Sequence, residues 1–343
     1  MFEKAEKDTN ADVLWTWSYP EVTPDWQEVL LYKSPLNSDN PYSQFIYGQH
    51  NRQWFYIATQ EVDNHPTLTK VKAFSLVLLC KDFNPEKYIA LCQILCNAYV
   101  KTGRPSSMLG SYLSVLTKGS CASENNGTFL VKDFDVRKAY AESNLRDLIE
   151  MFGMETILIY TAMLLKRKVA VYHSNVQDLL AFTRSLPALV WHRQNWSIMS
   201  PYVHLKAQEL ESLNGNSILL MGFTDADVES HTELYDLYVN LPANEITLAT
   251  HAKQIFGMGK LHKDIAQLMV QCIEEEETTE QQVIKEISVK TKELINNLKS
   301  LGEVVDEDDT PSISMDILKG KNLPPATQNF LYNLAAAEGF LQL

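Results

Sequence analysis

Residues Ser217 to Phe223 (SILLMGF) form an unbroken apolar run, closed off upstream by Asn214-Gly215-Asn216. A strand with one wet face alternates apolar and polar residues, so a run without alternation belongs to a strand covered on both faces. Such strands sit in parallel sheets with helices above and below. The neighbouring sequence supplies the other parts. Leu145 to Met151 and Met154 to Leu165 read as apolar helices and Val169 to Tyr172 as a short strand. Val176 to Leu189 reads as a helix up to the break at Pro187, and Leu234 to Val239 as a further strand. Strands alternating with helices give an α/β layer with a partly parallel sheet.

Upstream of Asn144 the pattern is different. Val13 to Tyr19, Gln53 to Ala58 and Ala73 to Cys80 read as strands punctuated by turns, with Pro20 and Pro24 after the first. Pro85 opens a segment in which Tyr88, Leu91, Cys92, Leu95 and Tyr99 recur at three- and four-residue intervals, the spacing of a half-buried helix. A second helix is expected over Met108 to Leu116, then a turn at Asn125-Asn126-Gly127 and a strand from Thr128 to Phe134. The fold class is therefore α/β in three modules. Residues 1–140 form a small antiparallel sheet carrying helices, 141–249 a central α/β module, and 250–343 a helical module ending in a helix from Ala326 to Phe340.

Charge and composition remove several functions. Thirty Lys and Arg face 43 Asp and Glu, a net charge of −13 that works against nucleic-acid binding. The acidity is concentrated in residues 274–309, where 12 acidic residues and four lysines leave −8. Within that segment Val305 to Thr310 is expected to be a mobile linker. Thirteen glycines are far fewer than the ~24 that an average usage of about 7% would give, so Gly-rich phosphate loops are not expected. Five scattered cysteines and a charged start, MFEKAEKDTNAD, fit reduced thiols in a cytosolic protein. No apolar stretch reaches the ~20 residues of a membrane span. The triplets Asn126-Gly127-Thr128 and Asn195-Trp196-Ser197 then read as turns or chance matches to a glycosylation signal.

The motifs that bear chemistry are few. Gly257-Met258-Gly259-Lys260 lacks both the upstream Gly and the following Ser or Thr of a phosphate-binding loop, and reads as a turn between helices. Cys92 and Cys96 share a helix face without companion ligands, so they read as packing thiols. The eight histidines show no zinc spacing, and no Gly-x-Ser-x-Gly elbow occurs. No catalytic, cofactor or metal residue is expected. Two clusters have a dual reading. Trp191-His192-Arg193-Gln194-Asn195-Trp196 brackets a cation between tryptophans and is either an interface or a buried cluster. Lys166-Arg167-Lys168, between a buried helix and a buried strand, is either a solvated turn or a contact for an acidic partner. Finally, Ile284, Ile287, Thr291, Leu294, Leu298 and Leu301 follow 3-4 spacing, a heptad seam with one polar position. It packs either on the protein's own core or on a partner's coiled coil.

The order of modules, with Met163 to Tyr172 (MLLKRKVAVY), Gln177 to Leu189, Trp191 to Pro201 and Ile218 to Gly222 (ILLMG), resembles the DENN domain family, which regulates Rab-type small GTPases. Residues 1–140 are similar to its upstream longin-like module and 250–343 to its downstream helical module. The resemblance implies guanine nucleotide exchange without cofactor or covalent chemistry. It also implies a cytoplasmic protein held peripherally at late endosomes, a late-endosomal Rab as partner, and a contact in the groove between the first two modules. Lys166, Arg167, Trp191, Arg193 and Trp196 are then the candidates for that contact. The rival reading is a non-catalytic adaptor in an endosomal recycling assembly, docked on coiled-coil subunits through Ile284, Ile287, Leu294, Leu298 and Leu301. Lys166 stands where the family usually has an acidic residue, and Asn240-Leu241-Pro242 stands where it usually has Asp-Leu-Asp; these departures favour the rival.

Overall fold

In the computed structural model, residues 2–8, 12–37, 45–62, 65–123, 127–215, 217–275, 277–302 and 312–341 are described. The chain divides into two compact units, Met1–Tyr140 and Ala141–Leu343. The boundary expected at 249/250 falls inside the second.

The first unit contains β1 (Phe2–Asp8), β2 (Val13–Tyr19), α1 (Pro24–Lys33), β3 (Phe45–His50), β4 (Gln53–Glu61) and β5 (Val71–Cys80). These are followed by α2 (Pro85–Thr102), α3 (Pro105–Lys118), β6 (Ser120–Ser123), β7 (Gly127–Leu130) and the short α4 (Val136–Ala141). The first five strands pair antiparallel in the order β2-β1-β5-β4-β3, and β6 and β7 form a separate hairpin. Period-two geometry sends alternate residues to opposite faces. Phe74 and Tyr56 meet Tyr99 and Tyr88 of α2, with ring centroids 4.9 and 4.2 Å apart. On the other face Ser75 bonds Thr59 (2.6 Å) and Ser34 (2.8 Å), just beyond α1. Cover on both faces explains why β4 and β5 read as continuous apolar runs. Helix α2 begins where the Asn84 side chain accepts the Lys87 N–H and ends at Gly103, whose φ of 67° is cheap for a residue without Cβ.

Several elements escaped the sequence reading, in this unit β1, α1, β3, β6 and α4. β1 is mostly charged, yet Lys4 is buried with its ammonium on Tyr99 Oη and Glu6 (both 2.7 Å). α1 starts at Pro24, which had read as a turn signal but sits at a first helical position that needs no N–H. β3 was not anticipated. The strand expected over Thr128 to Phe134 ends at Leu130 and continues as a 3₁₀ turn over Val131–Asp133. Asn125 and Asn126 of the expected turn lie outside the described residues, while Gly127 opens β7.

The second unit opens with α5 (Leu145–Phe152), α6 (Thr156–Leu164), β8 (Val169–Tyr172), α7 (Val176–Ser185), β9 (Met199–Val203), α8 (Ala207–Gly215) and β10 (Leu220–Phe223). It continues with β11 (Leu237–Asn240), β12 (Glu245–Leu248), α9 (Lys260–Glu274), α10 (Glu280–Leu301), α11 (Met315–Gly320) and α12 (Pro325–Glu338). Its sheet has the order β12-β11-β8-β10-β9. β8 runs parallel to β10 and β11, β10 runs parallel to β9, and only β12 is antiparallel. The partly parallel sheet inferred from SILLMGF is present. Gly222 is required there, because a Cβ would lie 2.2 Å from the Pro201 carbonyl oxygen of β9.

The helices of this unit are tied by side chains bonded to helix ends. Glu280, at the start of α10, accepts the Ser143 hydroxyl (2.7 Å) and the Leu145 and Arg146 N–H groups, so it caps α5. Arg146 of α5 donates in turn to the Ile273 and Glu275 carbonyls at the end of α9 and to the Thr278 carbonyl in the connection before α10. The orphan backbone groups at the start of α5 and the end of α9 are thus met by side chains of α10 and α5.

The heptad seam of α10 is filled from within this unit. Ile284, Ile287, Thr291, Leu294 and Leu298 are buried, and Leu301 is half-buried. The polar position is matched to a partner inside the same unit: Thr291 Oγ1 bonds Tyr160 Oη at 2.9 Å. Ile284, Ile287, Leu294 and Leu298 are therefore core residues and Leu301 a partly covered one, not an open docking stripe; the expectation that they bind a partner's coiled coil is corrected. One-sided heptads read alike whether the opposite helix belongs to this chain or another. The expected linker over 305–310 lies outside the described residues.

Candidate functional site

Lys166 is the most exposed of the candidates and the one with unusual backbone. Helix α6 ends in a Schellman pattern: Lys166 N–H bonds the Met163 carbonyl (3.3 Å) and Arg167 N–H reaches back to Ala162 (2.8 Å). Closing that pattern needs a left-handed residue. Lys166 supplies it at φ 53°, where glycine is usual and a side chain costs about 1 kcal/mol. The turn projects a lysine from the corner between α6 and β8. Burial lowers the affinity of its ammonium for a proton, the Arg193 charge acts in the same direction, and Glu338 opposes them.

The other basic candidates are held inside the unit. Arg167 is half-buried and donates to Asn333 Oδ1 of α12 at 2.8 Å. Arg193 donates to the Met163 carbonyl (3.0 Å) and the Leu164 carbonyl (2.7 Å) at the end of α6, and pairs with Glu338 of α12. His192 Nε2 lies 3.1 Å from the same carboxylate. Burial alone would raise the Glu338 carboxyl, but the His192 hydrogen bond and the charge and hydrogen bond of Arg193 outweigh it and bring the group down to about 2. Arg193 therefore acts as a rivet between the end of α6 and α12, and its guanidinium is engaged within the unit.

The tryptophans divide as well. Trp196 is 2% exposed and opens a 3₁₀ turn that Asn195 caps by accepting the Ser197 N–H at 3.0 Å. Trp191 packs edge-on against it, with centroids 5.8 Å apart and planes at 84°, and is itself half-buried. The pair braces the loop that carries Arg193. One corner thus brings together Lys166, Arg167 and Arg193, with Lys166 outermost and the others behind it. Glu338 and Asn333, which orient that corner, were missed by the sequence reading. They lie about 145 and 166 positions from their partners, and no local pattern marks such pairs.

Two other motifs noted in the sequence are structural. Cys92 and Cys96 are buried on α2, and burial pushes the Cys96 thiol up to about 12. Gly259 caps α9, whose first turn starts at Lys260, so Gly257 to Lys260 is a helix entry. Among the described residues no group of three or more His, Cys, Asp or Glu is placed to hold a metal ion, and no helix is long and apolar enough to cross a membrane.

Residues 142–250 match the family described as "SPA: Stabilization of polarity axis". That span holds the whole parallel sheet and the Lys166 corner. The chain is 49% identical over 339 residues to DENN domain-containing protein 10 of Danio rerio, covering 98% of this chain and 96% of the relative. The Homo sapiens protein of that name is also 49% identical, with 98% and 95% covered. The Dictyostelium discoideum protein of the same name is 37% identical over 349 residues, with 97% and 95% covered. Similarity of that depth over both units leaves one conclusion: the chain belongs to the DENN domain-containing protein 10 family.

Proposed function

We propose that this protein is a guanine nucleotide exchange factor for a Rab-type small GTPase of the late-endosomal class. It would act in the cytoplasm at the late-endosomal surface and stabilise the nucleotide-free GTPase. Membership of a DENN-type family supports a small-GTPase partner in general. The observation that supports the finer reading is the rigid corner at the end of α6, where Arg193 bonds the Met163 and Leu164 carbonyls and Glu338 behind the left-handed turn of Lys166; the charge of Lys166 itself departs from the family pattern and is not the support. Backbone strain of this kind persists where surrounding structure enforces it, and it clusters at working surfaces.

The energetics need no reactive side chain. A GTPase holding GDP at ~10 pM has about 15 kcal/mol of binding free energy to be overcome. A 10⁴-fold preference for the empty form supplies about 5.5 kcal/mol of that difference through contacts alone. A rigid surface is suited to the work; an acid-base pair is not needed.

The test is an exchange assay. Purified protein is added to fluorescent-GDP-loaded Rabs, including the late-endosomal ones, and release is followed in excess GTP. Acceleration of at least one late-endosomal Rab supports exchange. Binding without acceleration across the panel leaves the adaptor reading instead, with a docking surface other than the buried seam of α10.

A further inference from the structure

The parallel sheet of the second unit leaves a crevice at its carboxyl edge. From β8 the chain passes to α7 and on to β9, beyond β10. From β11, on the other side of β8, it turns away into β12. Chain exits that diverge from adjacent parallel strands open a cleft beyond their carboxyl ends, which is where open α/β sheets bind ligands. A cavity of about 260 Å³ lies there, lined by His173 just after β8, Leu241 just after β11, and residues of α5 and α7.

Its lining is two-toned. Leu148, Phe182 and Leu241 are buried and form an apolar floor, while Met151 is 40% exposed at the rim. Asp147 and Asp178 stand exposed beside it, and among the described residues no Lys or Arg lines the cavity. His173 accepts the Asn175 N–H on Nδ1 at 2.8 Å, which directs its Nε2 toward Asp178, 3.7 Å away. Small-molecule sites commonly enclose ~300–1,000 Å³. This cleft is below that range and matches one long side chain. An apolar floor with a carboxylate rim is complementary to a side chain whose stem is aliphatic and whose head is cationic.

From this geometry we propose that the cleft at the carboxyl ends of β8 and β11 receives an arginine or lysine side chain presented by a partner protein. The stem lies on Leu148, Met151 and Phe182, and the cation sits between Asp147 and Asp178. The site is separate from the Lys166 corner, which lies at the amino end of the same strand, roughly 13 Å away for four residues at ~3.3 Å each. It does not rest on the exchange reading, and loss of one leaves the other to be measured.

The test uses methyl-labelled methionine in the intact protein, reading the Met151 methyl resonance by NMR. The probes are Nα-acetyl-arginine-N-methylamide, its neutral citrulline counterpart and spermidine, each titrated to about 50 mM. The arginine probe should shift Met151 saturably. The citrulline probe should bind at least about tenfold more weakly. Asp147→Asn with Asp178→Asn should remove that difference while the other methionine methyls keep their positions, which reports an intact fold. Equal response to arginine and citrulline, no saturable shift at Met151, or a shift confined to other methionines would overturn the proposal. Spermidine binding more tightly than the arginine probe would overturn the protein-borne source in favour of a free polyamine.

Discussion

Glu338→Gln separates the rivet from its charge. The substitution keeps the shape and one acceptor oxygen but leaves Arg193, 18% exposed, and His192, 13% exposed, without an anion. A carboxyl brought from 4.5 to about 2 by its surroundings corresponds to about 3 kcal/mol at neutral pH. That figure is an upper bound, since the carboxylate is 14% exposed and water screens part of the interaction. Because the folded value lies below the unfolded one, the contribution is complete above about pH 5 and is lost as pH falls toward 2. At about pH 3.5 some 2 kcal/mol should remain. Urea unfolding, read by hydrogen-exchange mass spectrometry on α6 and α12 peptides, should show the variant less stable by up to about 3 kcal/mol at pH 7, with the gap narrowing in acid. A gap below about 0.5 kcal/mol, or one that does not change with pH, would refute the coupling of Glu338 to Arg193 and His192.

Three further substitutions and one control test separate links. Lys166→Gly relieves the left-handed backbone and removes the cation, so stability should rise by about 0.5–1 kcal/mol while exchange falls; a variant both less stable and fully active contradicts the reading of that corner. Gly222→Ala drives a Cβ to 2.2 Å from the Pro201 oxygen and should cost about 3 kcal/mol in urea titrations; a cost under 1 kcal/mol would mean β9 and β10 do not approach so closely. Leu294→Asp buries a carboxylate at a position 6% exposed and should unfold the second unit, costing more than about 4 kcal/mol, whereas Val289→Asp, 54% exposed on the same helix, should be neutral within about 0.5 kcal/mol. A folded Leu294→Asp protein that loses a binding partner would return the seam to the role of a docking face.

What could be read from residues alone was what repeats locally. The apolar runs at Val169 and Leu220 and the 3-4 spacing after Pro85 each report a local burial pattern, and all three elements are present. β1 was hidden because burial of Lys4 depends on Glu6 and Tyr99, and Tyr99 is 95 positions away from Lys4. β9 was hidden by Pro201, which an edge strand tolerates because one side of it needs no ladder. The basic corner shows the same division. Its charges stand in the sequence at Lys166, Arg167 and Arg193, but which of them faces solvent is decided by Asn333 and Glu338 on a distant helix.

The most direct measurement is the affinity of this protein for one late-endosomal Rab in two states, nucleotide-free and GDP-bound, by calorimetry or surface-based binding. Exchange by differential contact requires the empty form to bind more tightly, by about 10⁴-fold for the 5.5 kcal/mol considered above. Equal affinity for both forms, however tight, would contradict it, because a ligand that binds two states alike shifts nothing between them.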